Sequence, residues 1–166
     1  MIAIQVNTKG NPAGSVDDIH VVRSLKGGCS MNAQVAKVID NNRHCGTVAL
    51  SSVTGCEVEG VVAYFQRTKA VSWKGRLYWR ELLQYIRDLP GGPKFKQLTR
   101  AVMGATLERF IDQHTVRDTT YLVRVGGHFL SVRNGHCIDQ YQERDITEHW
   151  CARKRVSHAI KILECK

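Results

Sequence analysis

Two residues of this chain have types and settings that could do covalent chemistry. Cys45 stands in Asn-Asn-Arg-His-Cys-Gly-Thr-Val-Ala-Leu, where a helix is expected to begin. His128 stands in Gly-Gly-His-Phe-Leu-Ser-Val, where a strand is expected to begin. The reactive form of a cysteine is the thiolate, and a free thiol is mostly protonated at neutral pH. A helix N-terminus stabilises the anion through its free amides and dipole, and a neighbouring imidazolium does so more strongly. If the two side chains meet, Cys45 is a nucleophile and His128 its base. The chemistry would be that of a thiol hydrolase or an acyltransferase.

The remaining cysteines lack such a setting. Cys29 follows a Gly-Gly loop, Cys56 follows Gly55, and Cys151 and Cys165 have no helix start near them. Cys137 falls on a strand close to the expected site, as a neighbour rather than a nucleophile. Free cysteines are most often small buried residues, and that is the plain alternative for Cys45 as well. Gly46 behind Cys45 is expected to let a substrate carbonyl approach the backbone, whose amide can serve as an oxyanion donor. No Cys-x-x-Cys occurs, and the pairs His44-Cys45, His136-Cys137 and His149-Trp-Cys151 are too close for a zinc finger. The expectation is therefore reduced thiols, no metal and no cofactor.

The elements that must position the pair can be read in outline. Asn41 or Asn42 can cap a helix that contains Cys45, with Ala49 and Val53 on its buried side and Gly55 as its stop. A second helix is expected over residues 57–66. In a third, Trp79, Leu82, Leu83 and Ile86 follow helical spacing, and Pro90-Gly91-Gly92-Pro93 ends it. Residues 91–100 read as a basic loop, and Thr106 as the cap of a fourth helix. Ile2, Ile4 and Val6 alternate like a strand, and residues 31–39 read as a short helix. After His114 the period becomes strand-like, at residues 121–125, 129–132, 137–140 and 156–162.

Asn134-Gly135 lies between two of these runs and is a strong hairpin signal. With those two residues as the loop, Arg133 pairs with His136, Val132 with Cys137, Ser131 with Ile138 and Leu130 with Asp139. His128, Leu130, Val132, Cys137, Asp139 and Tyr141 then share one face. His128 and Asp139 become diagonal neighbours, roughly 7–8 Å apart at the backbone. A carboxylate there can hold the imidazole in one tautomer and support its charge. His136 falls on the opposite face. Helices first and an antiparallel sheet second reads as α+β, in one domain over residues 1–166, with residues 1–38 of uncertain role.

The chain has 166 residues and a formal net charge of +9, so a sizeable core and a preference for acidic partners are both expected. The basic residues fall at 67–76, 94–100 and 153–155 without a nucleic-acid motif, and a solvated basic surface is the better explanation of them. No window is long and apolar enough for a membrane span, and no signal peptide is visible, so a cytoplasmic protein with no membrane partner is expected.

Cys-Gly-Thr-Val-Ala-Leu-Ser-Ser-Val-Thr-Gly resembles the nucleophile helix of small papain-like cysteine peptidases of bacteriophages and bacteria. Thr-Leu-Glu-Arg-Phe-Ile-Asp-Gln-His and the stretch from Thr120 through Gly-Gly-His to Ile-Asp are similar to their second half, in an order shared with bacteriocin-processing peptidases. The resemblance covers residues 41–66 and 106–141. It implies N-terminal helices packed on a C-terminal antiparallel sheet. It also implies Cys45 as nucleophile, His128 as base and Asp139 as orienting acid, acting on an amide, isopeptide or thioester bond of a protein or peptide. Ile39 stands where that family usually has its oxyanion glutamine, which leaves Asn41 and Asn42 as substitute donors. The rival expectation is a catalytically weak or inactive papain-fold binding protein, of the kind a phage would encode, that engages an acidic host protein or nucleic acid.

Overall fold

Alternating apolar residues after position 120 build the centre of the molecule. In the computed structural model, residues 45–69, 73, 75–141 and 143–163 are described. The expected strand at residues 2–6, the helix at 31–39, and Asn41 and Asn42 lie outside them. Five α-helices are described: α1 (Cys45–Thr54), α2 (Val58–Lys69), α3 (Trp79–Asp88), α4 (Thr99–Val102) and α5 (Leu107–His114). The six strands are β1 (Phe95–Gln97), β2 (Tyr121–Val125), β3 (His128–Arg133), β4 (His136–Ile138), β5 (Glu143–Asp145) and β6 (Val156–Ile162), with a 3₁₀ turn at Ile146–Glu148. They form one antiparallel sheet in the order β1-β6-β2-β3-β4-β5. The mixed helix-and-sheet class agrees with the α+β expectation.

The two sheet faces bury different sets of side chains, as strand alternation requires. Leu122, Phe129 and Ile160 join a core with Ala49, Leu50 and Val53 of α1, Val61 and Phe65 of α2, and Leu82, Leu83, Tyr85 and Ile86 of α3. Val123, Val125, Leu130, Val132 and Ala159 face the other way, onto Val102, Leu107 and Phe110 of α4 and α5, with Cys137, Ile146 and Cys151. Ser52 of α1 and the fully buried Ser131 of β3 join their hydroxyls at 2.6 Å, which gives two polar groups in that interface a partner.

Local signals are obeyed at several element ends. Gly55, with φ +73, closes α1 by donating its N–H to Ser51. The Thr106 hydroxyl accepts the amide of Arg109 at the start of α5. The stretch expected to be a basic loop is a correction: its centre is β1, laddered onto β6, and α4 follows at once. A strand of three residues has little periodicity of its own and is defined by the partner it meets. Strand β5, laddered onto β4, is a second such element.

Candidate active site

Both site-forming hairpins turn on two residues with positive φ. At Asn134-Gly135 the values are +51 and +83, and at Gly126-Gly127 they are +56 and +86. Such pairs make turns whose twist matches the strands they join. The Asn134-Gly135 turn sets Arg133 against His136, Val132 against Cys137 and Ser131 against Ile138, the register read from the sequence. The Gly126-Gly127 turn sets Val125 against His128 and makes His128 the first residue of β3. The Gly-Gly pair before the histidine is thus accounted for by chain reversal.

The ladder between β3 and β4 stops at Ile138, so the expected pairing of Leu130 with Asp139 does not form. Asp139 leaves the strand instead, and its Oδ1 accepts the amide of Tyr141 at 2.8 Å. Because β3 and β4 are antiparallel, the start of one and the end of the other lie at the same end of the sheet. His128 Nε2 lies 3.1 Å from Asp139 Oδ2, with the two side chains 11% and 1% exposed. The His128 side chain also hydrogen-bonds the thiol of Cys45, the first described residue of α1. With Nε2 given to Asp139, Nδ1 is the nitrogen left for the sulfur. Cys45, His128 and Asp139 therefore form one connected chain.

The stop at Ile138 has a second effect. In a two-residue hairpin the residues flanking the loop exchange both hydrogen bonds, so Phe129, one step on, turns its N–H away from β2. No β4 residue is there to accept it. The Phe129 amide donates to Cys45, as does the amide of Gly46.

The electrostatics follow from these contacts. Burial opposes ionisation of Cys45, but the bond from His128, the Phe129 amide, the imidazole charge and the Gly46 amide outweigh it and hold the thiol below its ordinary value. Burial likewise opposes charge on His128. The hydrogen bonds to Asp139 and Cys45 and the negative charges of both raise it to about 9. The same contacts that lower the thiol raise the imidazole, so both shifts favour a thiolate facing an imidazolium. Burial pushes Cys137 up to about 12 and Cys151 up to about 11, so these thiols stay protonated. Cys45, Cys56, Cys137 and Cys151 are free, and Cys29 and Cys165 lie outside the described residues.

Three participants escaped the sequence reading. The Phe129 amide is one. The second is His149, 4% exposed, whose Nδ1 accepts the amide of Cys151 at 3.2 Å. A nitrogen that accepts carries no proton, so in the neutral ring Nε2 is the protonated one. It lies 3.3 Å from Asp139 Oδ2, in ion-pair range but off the line of a good hydrogen bond. One carboxylate oxygen thus faces two imidazoles. The third is Trp150, whose ring centroid is 5.3 Å from that of His128. The triplet His-Trp-Cys at 149–151 was conspicuous only as a poor zinc spacing.

Gly46 is a correction of role. A Cβ there would meet Leu77 Cδ1 at 2.9 Å, so the residue is small because Leu77 packs on α1, and it is buried. Cys137 is a fully buried core residue, and His136 is exposed on its strand. Comparison of the chain with protein-family models, curated proteins and solved structures finds no match. No single helix among the described residues is long and apolar enough to cross a membrane.

Proposed function

We propose that this protein is a papain-like thiol hydrolase that cleaves an amide, isopeptide or thioester bond. The observation that carries the reading is the continuous chain from the lowered thiol of Cys45 through His128 to the buried Asp139. The Cys45 thiolate attacks the carbonyl carbon, forming a C–S bond and a tetrahedral oxyanion. Collapse breaks the bond to the leaving group, which takes the proton of His128. The neutral imidazole then accepts a proton from water as its oxygen attacks the thioester carbon. The acid departs, the thiolate is released, and the ion pair is restored. Asp139 keeps Nε2 protonated and directs Nδ1 at the sulfur throughout.

The test is alkylation by iodoacetamide at about pH 6, with the modified residue located by peptide mass mapping. An ordinary thiol near 8.5 is below 1% ionised there on a simple estimate (about 0.3%), whereas Cys45 reacts readily. Cys45→Ala abolishes the fast phase. Equal labelling of that variant and the parent would remove the basis for the hydrolase reading.

A further inference from the structure

In this reading the proton of His128 passes to the leaving group, so that part of a substrate lies on the His128 side of the sulfur. A hollow of about 430 Å³, lined by Asp139, Tyr141, Arg144, His149 and Trp150, adjoins His128 through Asp139, 3.1 Å from its Nε2, and through the Trp150 ring, 5.3 Å from its own. Asp139 and His149 are buried, while Tyr141, Arg144 and Trp150 are exposed. The hollow has the size of a small-ligand site and adjoins the proposed catalytic carboxylate.

Its accessible charges are positive. Arg144 makes no ion pair with a described residue. Its strand neighbours Glu143 and Asp145 belong to the opposite side of β5 by alternation, and Asp145 is engaged in capping the turn that follows, where it accepts the amide of Thr147. Lys154 Nζ sits 4.0 Å from the centroid of the Trp150 ring. The negative charge of Asp139 faces His128 and His149 and takes the amide of Tyr141. The aromatic residues Tyr141 and Trp150 can hold an aliphatic stem, and a guanidinium pairs well with a carboxylate at its end.

We propose that this hollow is the leaving-group subsite and that it takes an acidic side chain of a peptide, with the carboxylate on Arg144 and Lys154 adding to the attraction. The inference rests on the hydrolase reading. A peptide suits the hollow better than nucleic acid, because its volume accommodates one or two side chains and not a run of stacked bases.

The test is fluorescence anisotropy with fluorescein-labelled tetraglutamate and tetraglutamine peptides, on the full chain carrying Cys45→Ala, at about 0.15 M salt. The acidic peptide binds at least about tenfold more tightly, and Arg144→Gln reduces that gap to less than about threefold. Lys96→Gln is the control for general attraction to a basic protein, since β1 is the opposite edge of the sheet from β5; it leaves the gap intact. In the parent protein, tetraglutamate slows alkylation of Cys45 by N-ethylmaleimide. Four results would overturn the assignment: equal binding of the two peptides, an equal loss in Lys96→Gln, binding without protection of Cys45, or displacement by oligothymidylate as readily as by unlabelled peptide. An ordinary Cys45 reactivity at pH 6 would instead strike the hydrolase reading, and is read separately.

Discussion

Asp139→Asn keeps the size of the side chain and removes its charge. At 3.1 Å from His128 Nε2, a full charge pair in an effective dielectric of about 20 attracts by roughly 5 kcal/mol before desolvation. Burial takes back part of that on both groups. What remains is visible in His128, where burial lowers the imidazole but the bonds to Asp139 and Cys45 raise it to about 9. With the carboxylate gone, burial still opposes the charge and only the bond and charge of Cys45 favour it, so His128 falls from about 9 towards its ordinary value near 6.5. The thiolate then loses its counter-charge at neutral pH. Alkylation of Cys45 at pH 6 falls by about 10- to 100-fold, since each pH unit is a factor of ten in the ionised fraction. Near pH 10 a thiol is ionised without help, and the rate there changes by less than about twofold. Stopped-flow alkylation with iodoacetamide across that range measures both limbs. An unchanged profile would refute the role of Asp139, and an equal drop at both ends would indicate damage to the fold instead.

Three further outcomes follow from the same geometry. Hydrolysis by the parent protein is bell-shaped in pH: the acid limb is ionisation of the lowered Cys45 thiol, and the alkaline limb near pH 9 is loss of the His128 proton needed by the leaving group. Alkylation lacks the alkaline limb, because the thiolate persists there; a matching fall in both assays would sink the assignment of that limb to proton donation. His149→Phe removes the second imidazole that faces Asp139 and slows alkylation at pH 6, whereas His149→Gln keeps a polar group beside the carboxylate and slows it less. Identical profiles for the two variants, with equal melting temperatures, would leave His149 no positioning role. Gly46→Ala forces a methyl against Leu77 and destabilises by about 1–3 kcal/mol, measured by urea unfolding; the added change Leu77→Ala relieves the clash, so the double variant loses less than the sum.

Several of these features were legible in sequence because their causes are local. The Asn134-Gly135 turn fixes which residues pair across it, and that alone brought Asp139 to the His128 end of the hairpin. Thr106 and Gly55 act on the helix ends beside them, and the spacing from Trp79 to Ile86 marks one buried helix face. Strands β1 and β5 escaped because three residues carry no usable period, and each is a strand through its neighbour in the sheet. Gly46 and Gly126-Gly127 were visible as glycines, but their reasons lie in Leu77 and in the reversal of the chain.

By itself the sequence determined the chemistry on offer: one thiol at a helix start, one imidazole at a strand start, and a carboxylate carried to that imidazole by hairpin register. Tertiary structure decided whether they meet, since nothing local relates the start of α1 to the start of β3. It also brought His149 onto the far side of Asp139, set Trp150 beside His128, and left the Phe129 amide free for the sulfur by ending the β4 ladder at Ile138, two residues before the expected Gln140. Those contacts come from where separate elements stop and pack, which no periodicity along the chain encodes.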